Sequence, residues 1–143
     1  MKSIKPDKLR EFEKIYKELD YLYHEVALKA GISDSVHLVL YTICENNGSC
    51  MQKDICEAYS ISKQTINSAV RKLEKEGYIV LKSTGGRDKF ISLTELGEKL
   101  AEKVVVPVME MEVNAIKELS ADEMEQLLKL SRKFVDSFRK HLK

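Results

Sequence analysis

The sequence predicts a mainly α protein with a small β-hairpin, on three observations. Apolar residues recur at three- and four-residue spacing through both ends of the chain. Capping residues stand before four of these runs, at Ser33, Ser62, Thr94 and Ser120. A single stretch, Tyr78 to Leu93, has strand character, and a glycine pair divides it.

Asp7 to Ala30 reads as the first helix. Leu9, Phe12, Tyr16, Leu19, Tyr23, Val26 and Ala30 form a heptad seam. Ile15 and Leu22 widen the stripe, which suits packing against more than one partner helix. Gly31 ends the helix as a left-handed cap. Ser33 caps a second helix, Asp34 to Asn46, with Val36, Val39, Leu40, Ile43 and Cys44 inward; Asn46-Asn47-Gly48 stops it. Met51 to Ala58 is a short third helix with Ile55 and Cys56 inward, and Tyr59-Ser60-Ile61 is a tight connector.

Ser62 caps a fourth helix, Lys63 to Glu76, closed by Gly77. Its inner positions are Ile66, Ala69 or Val70, and Leu73. Tyr78 to Ser83 and Phe90 to Leu93 are strands around a loop from Thr84 to Lys89. Thr94 caps a fifth helix, expected from Glu95 to Lys117 with a kink at Pro107. Ser120-Ala121-Asp122-Glu123 is a capping box for a sixth. Its stripe is Met124, Leu127, Leu128, Ser131, Phe134, Val135, Phe138 and Leu142.

Composition fits this reading. Among 143 residues, six glycines and two prolines leave long stretches free to stay helical. No run approaches the roughly 18 apolar residues of a membrane span, and Met1 to Lys8 lacks the apolar core of a signal peptide. The expectation is a cytoplasmic protein with no membrane partner. Cys44, Cys50 and Cys56 are odd in number, so they are no disulfide framework. His24, His37 and His141 lack a histidine or cysteine three or four residues on, so no metal is expected. No phosphate loop or serine–histidine elbow is present, so nothing points to an enzyme or a cofactor.

The net charge of +1 says little, but its distribution says more. Ser62 to Lys89 holds seven basic residues against three acidic, so the remainder is net negative. Gln52 to Ile79 has the pattern of a helix-turn-helix. With Ile66, Val70 and Leu73 inward, its second helix turns Lys63, Gln64, Thr65, Asn67, Ser68 and Arg71 to solvent. An ordinary solvated face would be rich in Glu and Lys, which favour helix. This one carries Ser, Thr and Asn, mediocre helix formers whose short donors and acceptors suit base edges and phosphates. The hairpin that follows has the form of a wing, with Gly85 and Gly86 at its tip. Arg87 there can enter a narrow minor groove, and Lys89 lies beside it.

On the segment ISKQTINSAVRKLEKEGYI, the wing with Arg87, and ISLTELGEKL from Ile91 to Leu100, the chain resembles the MarR family of winged helix-turn-helix regulators. The element Leu93, Thr94, Gly97 is a specific marker, and Pro107 lies where such proteins often bend. The resemblance implies a homodimer whose first, fifth and sixth helices interlock, setting two winged domains on a pseudo-palindrome. It implies a repressor more often than an activator, released by a small ligand or another signal. The expected divisions are a dimerisation helix at 1–32, the winged domain at 33–94 and dimerisation helices at 95–143.

The expected DNA-binding residues are Ser62, Lys63, Gln64, Thr65, Asn67, Ser68 and Arg71 on the helix, with Arg87 and Lys89 on the wing. Leu9, Phe12, Tyr16, Leu19, Phe134 and Phe138 are the expected dimer contacts. Two places depart from the family pattern. The carboxylate expected two residues before the arginine is Gly85 here, which leaves Asp88 as the nearby substitute. Ser68 stands where an arginine is common. Three further sites invite sharper readings. Cys50, in a loop, is the best placed cysteine for sensing oxidants, although structural roles are expected for all three. Tyr16 and Tyr23, with Tyr21 nearby, suit either interface packing or a small aromatic effector. The competing function class is a winged helix that docks a protein and never touches DNA.

Overall fold

The computed structural model describes residues 1–59 and 61–142. The elements run α1 (Asp7–Lys29), α2 (Asp34–Glu45), β1 (Ser49–Met51), α3 (Gln52–Tyr59) and α4 (Lys63–Lys75). They continue as β2 (Ile79–Ser83), β3 (Lys89–Leu93), α5 (Glu95–Val104), α6 (Val106–Lys117) and α7 (Ala121–Lys140). By its contacts the chain divides into two compact units, Met1–Pro107 and Val108–Lys143.

The first unit is organised around α2. Val36, Val39, Leu40 and Ile43 are buried on it, so α2 faces the core along nearly its whole length. Ser33 starts it, its Oγ accepting from the Val36 N–H at 3.2 Å. The α4 side chains Ile66, Ala69, Val70 and Leu73 complete one wall, with Ile55 from α3 and Ile79 and Ile91 from the strands. His37 is buried too, and its Nε2 donates to the Val104 carbonyl of α5 at 3.0 Å. That bond serves a polar group whose burial would otherwise be costly. Ala27 is the buried residue of α1, which joins the core at its last turns.

The hairpin expected from the sequence is part of a three-stranded sheet of order β1-β3-β2, antiparallel throughout. In the wing, Ile79 pairs with Leu93 and Ser83 with Lys89. The added strand sets Cys50 opposite Ile91 and Met51 opposite Phe90. Met51 therefore ends a strand instead of opening a helix. Three residues with no alternation give no strand signal of their own; pairing with β3 makes them one. Tyr59 extends α3, while Ser60 of the expected connector lies outside the described residues.

The expected single helix from Glu95 to Lys117 is two helices. α5 stops at Val104, and α6 begins at Val106, one residue before Pro107. Proline has no N–H to give to the carbonyl four residues back, so the ladder loses a bond at Lys103 and is interrupted beside it, at Val105. The result is a break rather than a bend in a continuous ladder.

The Leu93-Thr94-x-x-Gly97 element has a mechanical reason. The Thr94 hydroxyl donates to the Gly77 carbonyl at 2.6 Å and accepts the Gly97 N–H at 3.0 Å. The Thr94 N–H donates to the Tyr78 carbonyl at 3.0 Å. One residue thus caps α5 and ties it to the chain leaving α4. A Cβ at Gly97 would lie 1.9 Å from the Tyr78 carbonyl oxygen. The clash is with backbone, which cannot swing aside. Gly97→Ala is expected to cost at least about 3 kcal/mol in urea unfolding, against much less for Gly86→Ala, whose Cβ meets nothing within 4 Å.

The second unit is two helical segments with little interior. Ser120 and Glu123 form the predicted capping box: the Glu123 N–H donates to Ser120 Oγ at 3.1 Å, and the Ser120 N–H donates to Glu123 Oε1 at 2.9 Å. Hydrogen bonding from Ser120, its backbone N–H first and then its side chain, holds the Glu123 carboxyl below its usual range. Among the described residues, α7 buries none of its own side chains.

Candidate nucleic-acid interface

The exposed face of α4 follows directly from its buried one. Ile66, Ala69, Val70 and Leu73 point inward, which turns Gln64, Ser68, Arg71 and Lys75 outward on one line, with Lys63, Thr65 and Lys72 beside it. Ser62 starts the helix: its Oγ accepts the Thr65 N–H at 3.2 Å and lies 2.8 Å from Thr65 Oγ1. Both hydroxyls are therefore engaged in the cap while remaining exposed. The opening N–H groups of α4 give that end a positive field, as at known anion-binding helix ends.

Asn67 differs from its neighbours. It is half-buried, and its Oδ1 accepts a hydrogen bond from Nε2 of Gln52 on α3. Gln52 thus orients a residue of the exposed α4 face, a role that sequence reasoning missed because the two are 15 positions apart.

Charge on this side is left uncompensated. Among the described residues, none of Lys63, Arg71, Lys72, Lys75, Lys82, Arg87 and Lys89 stands in a salt bridge. Cations elsewhere pair locally, as Lys5 does with Glu13 at 2.9 Å and Arg139 with Asp136 at 3.2 Å. Unpaired cations on one face are available to phosphates. At the wing tip Gly85 takes φ +84°, a turn geometry that suits glycine. Arg87 and Lys89 are exposed. Asp88 does not pin Arg87 from the side chain, as its position suggested. Its Oδ1 accepts the Lys53 N–H of α3 at 3.2 Å.

The expected dimer contacts lie on two elements. On α1, Leu9 and Phe12 are half-buried while Tyr16 and Leu19 are about half exposed; the Phe12 and Tyr16 rings meet edge-on at 4.8 Å. On α7, Phe134 and Phe138 are exposed, their ring centroids 6.3 Å apart. Ile15, Tyr21, Leu22 and Tyr23 of α1 are exposed as well.

Cys50 is not in a loop but on β1, and it is buried. Burial, then the carboxylates of Asp54 and Asp88, push its thiol up to about 11. Burial also raises Cys44. A thiol at about 11 is roughly one-thousandth thiolate at pH 8, and the thiolate is the reactive form. Alkylation of Cys50 by iodoacetamide at pH 8 is therefore expected to be at least about tenfold slower in the native protein than in urea, read by peptide mass.

Comparison with known proteins agrees with this architecture. Residues 30–89 match the model of the MarR family. Over 66 residues the chain is 35% identical to the HTH-type transcriptional regulator MntR of Lysinibacillus sphaericus (strain C3-41), a match covering 46% of this chain and 45% of that protein. The chain thus matches less than half the length of that curated relative. A MarR family regulator from Neisseria meningitidis superposes with a TM-score of 0.79 at 21% identity, covering 93% of this chain and 94% of that one. The MepR–DNA complex of S. aureus superposes with a TM-score of 0.67 at 26% identity, covering 95% and 99%. Residues 30–89 thus resemble the winged helix-turn-helix of the MarR family, and the chain carries the fold seen in a regulator of that family.

Proposed function

We propose that the protein is a homodimeric transcriptional repressor. It binds a pseudo-palindromic operator, with α4 in the major groove and the wing at the adjacent minor groove. The observation that carries this is the row of exposed, unpaired cations on α4 and the wing, interleaved with Gln64, Thr65, Asn67 and Ser68. Lysine and arginine there would fix the register on phosphates, while the amides and hydroxyls address base edges. The DNA held by the S. aureus neighbour supports the same reading.

Dimerisation is supported by what a single chain leaves uncovered. Leu19, Phe134 and Phe138 are large apolar side chains that remain 48%, 42% and 67% exposed. Such surface in a monomer favours association. Two winged domains then present equivalent helices to two half-sites. A small aromatic effector is the release signal we assign. The rings of Tyr16, Tyr21 and Tyr23 on α1, each with one hydroxyl, suit it. The setting is the cytoplasm; no single helix among the described residues is long and apolar enough to cross a membrane.

Selection of duplexes from a random pool should yield a preferred site whose binding weakens steeply with salt. On that duplex Arg71→Ala or Arg87→Ala should each cost about 1–3 kcal/mol. Full affinity in both variants would refute the groove assignment. Absence of binding to any duplex at low salt would leave a protein-docking module as the better account. Phe138→Asp should shift the sedimenting species from two chains to one and weaken operator binding at least tenfold, on the order of 1.4 kcal/mol. An unchanged dimer in that variant would remove α7 from the interface.

A further inference from the structure

The wing is joined to the helix-turn-helix by a charged hydrogen bond that spans 35 residues of sequence. Asp88, at the end of the wing loop, accepts the N–H of Lys53 through Oδ1 at 3.2 Å. Lys53 is the second residue of α3 (Gln52–Tyr59). The opening N–H groups of a helix lack partners within it and form its positive end. A Ser, Thr, Asp or Asn just before the helix normally supplies an acceptor. Here that position is Met51, which has none to match. Asp54 performs the reverse half of a capping box, accepting the Met51 N–H at 3.1 Å. The other half arrives from the wing.

The same residue ties the loop together. The Thr84 hydroxyl donates to the Asp88 carbonyl at 3.1 Å, and the next residue, Lys89, pairs with Ser83. Arg87 is the adjacent exposed residue, and among the described residues it stands in no salt bridge. Asp88 Oδ2 is buried with no hydrogen-bond partner among the described residues. A carboxylate oxygen is costly in that state, and the positive end of a helix is a setting that favours negative charge.

We infer that Asp88 is a positioning residue for DNA binding: by capping α3 from the wing, it fixes the direction in which Arg87 leaves the loop. The inference rests on the DNA-binding reading above. Arg87 is aimed through the backbone next to it, with no carboxylate on the guanidinium. The guanidinium therefore stays unneutralised for phosphate or groove.

The test is a double-mutant cycle on the selected duplex, read by fluorescence anisotropy at fixed salt, with Lys53 amide exchange followed by NMR. Asp88→Ala should weaken binding about tenfold and unprotect the Lys53 amide. Asp88→Asn keeps an acceptor oxygen and should recover most of that loss. In the Asp88→Ala background the cost of Arg87→Ala should shrink to under about a third of its parental fold-change, while that of Arg71→Ala stays the same. Lys53→Pro removes the donor instead of the acceptor. Proline is tolerated in a first helical turn, so this variant should reproduce the uncoupling if Asp88→Ala fails to fold. A fold-stabilising cap alone would leave both arginine costs unchanged, and that result overturns the inference. So does a parent-like affinity in Asp88→Ala. A parent that binds no duplex overturns the DNA-binding reading and this inference with it; a parent that binds, with an additive cycle, overturns this inference alone.

Discussion

The winged unit depends on one close approach, Gly97 against the carbonyl of Tyr78. There is no room for a methyl group between them. Because they touch, the start of α5 can lie on the strand entry, and Thr94 can reach Gly77 with its hydroxyl and Tyr78 with its N–H. Four elements meet there: the end of α4, the start of β2, the end of β3 and the first turn of α5. The direction of the exposed α4 face and the root of the wing are therefore set by a single packed junction. Neither can rotate without breaking the two hydrogen bonds that Thr94 donates.

Charge is sorted as sharply as shape. Among the described residues the cations of α4 and the wing look outward and stand in no salt bridge, whereas the carboxylates of Asp54 and Asp88 gather at the opening turn of α3. There they satisfy backbone donors and disfavour a thiolate at Cys50. One set of acids thus stays occupied by the scaffold and away from the outward cations. This division explains how a chain with a net charge of +1 still presents a positive face.

Much of this was legible in the residues themselves. Capping side chains at Ser33, Ser62, Thr94 and Ser120 act locally, and each accepts the N–H expected of it. The buried face of α4 followed from helical spacing, and with it the exposed one. Long-range partnerships were not legible. β1 exists because β3 lies beside it, Asn67 is held by Gln52 from another helix, and Asp88 serves a helix rather than its neighbour Arg87. The break at Val105 was half legible: Pro107 announces a disturbance, but spacing cannot say whether a helix bends or stops. Cys50 was misplaced for the same reason as β1, since a strand made by pairing looks like a loop in sequence.

α7 is well capped and strongly two-faced, yet it shelters none of its own side chains. A helix in that position draws little of its persistence from its own interior, since most helical stability in proteins comes from packing of the apolar face. In the proposed dimer its lifetime is set by the second chain on that face, and so by concentration. Dilution would be felt here first, as fraying and proteolytic nicking, while the winged unit with its filled core stayed intact.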